Sequence, residues 1–65
     1  MVSSKVKLVM EKKKMTIRKL MELSGLSNET ILRARGEQIV QCRLETLIII
    51  GQCLGCKVKD LFDES

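Results

Sequence analysis

Residues 15–36, MTIRKLMELSGLSNETILRARG, decide the fold. Ile17, Leu20 and Met21 recur at i, i+3 and i+4, so they share one face of a helix over residues 16–23, and Thr16 stands where a side-chain oxygen caps its start. Ser24, Gly25 and Leu26 form a turn. Gly25 follows the last periodic residue, where helices often end in the left-handed conformation that glycine adopts without strain. Leu26 then fills the corner. Ser27 can cap a second helix, residues 28–35, which buries Ile31 and Ala34 and turns Asn28, Glu29, Arg33 and Arg35 outward. Two short helices joined by so tight a turn cannot lie side by side. They make a helix-turn-helix, and its polar second helix points to DNA reading.

Outward from this motif, residues 2–13 are expected to form a first helix with Val2, Val6, Val9 and Met10 on one face. Ser3 or Ser4 can cap it, which shortens it by a turn. Residues 37–43 have no clear period, so they are expected to form a loop in which Ile39 or Val40 tucks back onto the core. Residues 44–54 predict a fourth helix ended by Gly55, with Leu47, Ile50, Gly51 and Leu54 on its core face. Gly51 there admits a neighbouring helix. Ile49 falls opposite Leu47 and Gly51 and is expected to be exposed. Residues 58–62 predict a short closing helix that returns Leu61 and Phe62 to the core, with residues 63–65 frayed. No repeat, linker or low-complexity tract occurs.

Length and composition narrow the function. A chain of 65 residues is expected to be a single domain, 1–65, near the size at which one core just suffices. No apolar run approaches a membrane span and no export signal opens the sequence, so a cytoplasmic protein with no membrane partner is expected. There is no His, Trp, Tyr or Pro, and Phe62 is the only aromatic residue. The commonest general base is therefore missing, as are the stacking platforms of a single-strand or RNA binder. No nucleophile–base pair, phosphate loop or metal cluster is recognisable, so neither an enzyme nor a small-molecule substrate is expected. The net charge is +4, and residues 1–43 hold ten Lys or Arg against four Glu, whereas residues 44–65 hold two Lys against four acids. This asymmetry favours a polyanionic partner for the N-terminal part, although charge alone fits a membrane surface or an acidic protein too, and Lys12, Lys13 and Lys14 also suit a solvated helix end that complements the helix dipole.

Cys53 and Cys56 form a C-x-x-C, and Cys42 is the third cysteine. A tetrahedral zinc site needs four ligands, so no metal site and no cofactor are expected. The cysteines are read as small, buried free thiols.

The order LxxLSGLSxxTIxRxRxG, then LETLxxIGxxLG, then VKDLF resembles the Cro/phage-repressor-type, or XRE, helix-turn-helix family across nearly the whole chain. This resemblance implies an all-α, five-helix lambda-repressor-like domain. It further implies a usually dimeric transcription regulator of the kind found on prophages and mobile elements, with residues 16–23 as supporting helix and residues 27–35 as recognition helix. Three features depart from the pattern: Ile17 replaces the usual phosphate-touching Gln, Met21 the usual small Ala, and the loop after Gly36 is longer. Cys56 stands where Val is usual.

With the second helix in the major groove, Asn28, Glu29, Thr30 and Arg33 are the candidate base readers. Asn28 suits adenine, Glu29 the cytosine amino group and Arg33 the guanine edge. Leu32 either touches a thymine methyl or packs under Ile39 or Val40. Ser27, Arg18, Lys19, Lys12, Lys13 and Lys14 are placed for phosphates of double-stranded DNA. Arg35 either contacts DNA or pairs with a glutamate. A homodimer through the fourth helix is expected, with Ile49 favoured over Ile48. The competing reading is a protein-interaction module on the same fold, an antitoxin-like or accessory regulator that uses the isoleucine surface.

Overall fold

The computed structural model describes residues 2–64. Their order is strand β1 (Val2–Ser4), helix α1 (Val6–Lys12), α2 (Ile17–Ser24), α3 (Asn28–Arg35), a 3-10 helix (Glu37–Gln41), α4 (Leu44–Leu54), a 3-10 turn (Val58–Asp60) and strand β2 (Phe62–Glu64). Val6, Met10, Leu20, Ile31, Ala34, Ile39, Leu47, Ile50, Leu54 and Leu61 form one buried cluster to which every α-helix contributes. No buried polar or charged residue interrupts it among the described residues.

The helix boundaries follow from local chemistry. Thr16 Oγ1 accepts the Lys19 N–H at 3.0 Å and so starts α2. Gly25, at φ 75°, stops it, its N–H donating to the Met21 carbonyl. Ser24 stabilises the same corner by donating to the Leu20 carbonyl and accepting the Leu26 N–H. Helix α4 ends in the same way at Gly55, φ 72°, and the Cys56 N–H reaches back to the Gly51 carbonyl at 2.8 Å.

Both ends of the chain depart from the sequence reading. Residues 2–4 are a strand instead of the first turn of a helix, and residues 62–64 are a second strand instead of a closing helix and a frayed tail. The two pair antiparallel, with Val2 opposite Glu64 and Ser4 opposite Phe62. The described residues thus contain four α-helices and a small sheet in place of the expected five helices, because the fifth position is only the single 3-10 turn at Val58–Asp60. Ser4 fixes the break: its Oγ accepts the Val6 N–H and donates to the Ala34 carbonyl, tying β1 to the end of α3. Leu61 is buried as expected, and its carbonyl accepts the Lys5 N–H at 2.8 Å.

Three further expectations change. Residues 37–41 are wound as a 3-10 helix rather than a loop, and Ile39, not Val40, is the residue that enters the core. What approaches Gly51 closely is the chain just beyond α4 rather than a neighbouring helix: a Cβ added at Gly51 would lie 2.8 Å from the Cys56 carbonyl oxygen. Ile48 is the exposed isoleucine, at 42%, whereas Ile49 is half-buried. A helical wheel identifies the core side of α4. It does not identify which neighbours cover the other side.

Candidate nucleic-acid interface

Helix α3 is positioned from both ends. At its start Ser27 Oγ accepts the Thr30 N–H at 3.2 Å and bonds the Thr30 hydroxyl at 2.9 Å. At its end Arg35 precedes Gly36, which has an extended backbone, not a left-handed one. Ile31 and Ala34 anchor the inner side, both fully buried. Successive residues advance about 100° around a helix, so the side opposite these anchors carries Glu29, flanked by Asn28 and Leu32 on one edge and Arg33 on the other.

The outer side is exposed and polar. Asn28 and Glu29 are exposed, and Thr30 is half-buried beside the cap. Arg33 Nη2 lies 3.2 Å from Glu29 Oε1, so two of the candidate base readers form an ion pair one helical turn apart. The Arg33 side chain is 38% exposed against 83% for Glu29, which leaves the guanidinium held along the helix surface and the carboxylate in solvent. Beside them lies a shallow hollow of about 290 Å³, lined by Asn28, Glu29, Leu32, Arg33 and Gln38. Leu32 is 48% exposed there.

Gln38, exposed on the 3-10 helix, is a member of this face that sequence reasoning missed. So is Arg43, exposed just before α4. Arg43 lines a second hollow with Thr30 and Arg33, and Leu26, Gln41, Cys42 and Thr46 complete it. Neither residue lies on a periodic segment that would mark its face. The helix-start position of Arg43 was the one available signal.

The candidate phosphate ligands fall into separate groups. Arg18 and Lys19 are exposed on the first turn of α2, and Arg18 Nε is 3.8 Å from Glu22 Oε1. Lys12, Lys13 and Lys14 are exposed at the end of α1, where Lys14 turns the chain with φ 54°. Ser27 is exposed, with its hydroxyl engaged by Thr30. Arg35 has no glutamate partner among the described residues. Its Nε is buried without a hydrogen bond.

The three cysteines are free and half-buried, and no group of side chains able to hold a metal ion occurs among the described residues. Burial raises the Cys42 thiol above its ordinary pKa, with Arg33 opposing. Burial and the Asp60 carboxylate raise that of Cys56, with Lys13 opposing. A raised pKa disfavours the thiolate form that nucleophilic attack requires. Among the described residues no helix is long and apolar enough to cross a membrane.

A family model for the Cro/C1-type HTH DNA-binding domain matches residues 5–63. The chain belongs to that family. No curated protein matches the sequence. In this Cro/C1-type domain the match spans α1 through α4 and takes in the whole helix-turn-helix of α2 and α3. The matched span begins after β1, so Val2–Ser4 lies outside it.

Proposed function

We propose that this Cro/C1-type domain is a sequence-specific double-stranded DNA-binding regulator of transcription, a single cytoplasmic domain acting as a homodimer. The observation that carries the reading is the division of α3, with Ile31 and Ala34 buried on one side and Asn28, Glu29 and Arg33 on the other, within a chain of a DNA-binding family. Arg33 forks onto a guanine edge, Asn28 pairs with adenine, and Glu29 either accepts from cytosine or steadies Arg33. Thr30 stands beside them. Arg18, Lys19, Ser27 and the three lysines meet phosphates, which supplies affinity and register.

Selection of preferred sites from random duplex DNA tests this. A bidentate Arg–guanine contact discriminates by roughly 1–3 kcal/mol, so Arg33→Ala should lose about ten- to a hundredfold in specific affinity and relax one base pair per half-site. Asn28→Ala should relax a different one. Arg18→Ala should weaken all sequences alike. If the folded Arg33 and Asn28 variants both return the wild-type site unaltered, base reading by α3 is wrong.

One observation favours the second reading, a protein-interaction module. Val2, Ile39, Val40, Cys42, Leu44, Leu47, Val58 and Phe62 line an open apolar hollow of about 340 Å³. Leu44 and Ile48 are spaced i, i+4 on α4, so the exposed apolar strip continues along that helix. We assign this surface to the homodimer contact, with Ile48 replacing Ile49 as its outer member. Failure of the selection to enrich any site would return it to an unrelated protein.

A further inference from the structure

We infer that Leu32 is a specificity-determining residue that seats the C5-methyl group of a thymine. This inference rests on the proposal that α3 reads duplex DNA, and it gives the thymine methyl group a reader of its own.

Leu32 is nearly half exposed on the outer side of α3, and the hollow it lines is otherwise built from Asn28, Glu29, Arg33 and Gln38. It is thus one apolar group inside a ring of hydrogen-bonding side chains. An apolar protein partner would seek the opposite arrangement, and the chain offers it elsewhere, in the mostly apolar hollow around Val40, Leu44 and Phe62. What matches a single apolar point framed by donors and acceptors is the major-groove edge of an A·T pair. There the thymine methyl stands beside thymine O4 and the adenine N6 and N7 atoms. Asn28 precedes Leu32 by four residues on the same edge of the helix, so its amide is placed for the adenine side of such contacts. A G·C pair presents no methyl and would leave Leu32 against a polar edge.

The test uses the site selected from random DNA, with each thymine replaced in turn by deoxyuridine, which removes only the methyl group. Fluorescence anisotropy then gives the affinity of the intact chain for every duplex. One thymine per half-site should weaken wild-type binding by about fourfold when demethylated, the expected effect of keeping one methyl group out of water. Leu32→Ala should bind the thymine and deoxyuridine duplexes equally, and so should Leu32→Gln, which keeps the side chain's length. The inference is overturned if no thymine methyl matters to the wild type, or if both variants retain the wild-type loss. If no site is enriched at all, the DNA-reading proposal fails and takes this inference with it, a result distinct from a selected site that ignores its methyl groups.

Discussion

Gly51 and Gly36 show how differently two glycines can be constrained. At Gly51 an added Cβ would meet the Cys56 carbonyl oxygen at 2.8 Å, and that oxygen is backbone held by the turn that closes α4. Alanine gains about 1 kcal/mol of helix propensity there, but forcing the turn open costs roughly 1–3 kcal/mol. Gly51→Ala should therefore destabilise the domain by up to about 2 kcal/mol. At Gly36 the backbone is extended and the nearest atom to an added Cβ is 3.7 Å away, an ordinary contact. Gly36→Ala should be neutral or gain about 0.4–1 kcal/mol through the unfolded chain. Urea midpoints of the two variants check both signs, and an equal effect would contradict the packing described at Gly51. The sequence places Gly51 inside a helical run and Gly36 just past one, but it does not reveal the crowding at Gly51, because that carbonyl belongs to a turn whose path no spacing rule gives.

Among the elements, those bounded by local signals were legible and those made by distant pairing were not. Helices α3 and α4 begin and end where Ser27, the apolar period and Gly55 place them, and α2 differs by one residue. The short strands carry three residues each, too few to show an alternation, and each exists only because the other lies some sixty residues away. The outer side of α3 could be read from a 100° step, whereas Gln38 and Arg43 could not be placed until the path of the 3-10 helix was known. The end of α1 supports a prediction about its own lysines. Lys12, Lys13 and Lys14 are exposed and carry no carboxylate partner among the described ion pairs, so they are free to meet phosphates. Replacing all three by Ala should make the salt dependence of DNA affinity shallower by up to about 0.9 for each phosphate no longer neutralised, with the preferred site unchanged. Affinity measured across a salt series decides this. An unaltered slope would return the lysines to the role of solvated helix end.

For the whole molecule, the apolar strip and the polar side of α3 are separate parts of the surface, one proposed for a second copy and the other for DNA. Val40, Leu44 and Ile48 are exposed large apolar residues, and their proximity to the hollow lined by Phe62 suits a contact between copies. Leu44→Glu together with Ile48→Glu should reduce the mass measured by light scattering from dimer to monomer while the circular dichroism stays helical. A mass unaffected by the double variant would place the interface elsewhere. The paired strands bear on when this surface can exist. Val2–Ser4 is made about 3–12 s before its partner Phe62–Glu64, at roughly 5–20 residues per second. Until then β1 has no partner strand and the hollow lacks Phe62. The apolar hollow proposed as the contact between copies can thus be completed only after β2 has been made.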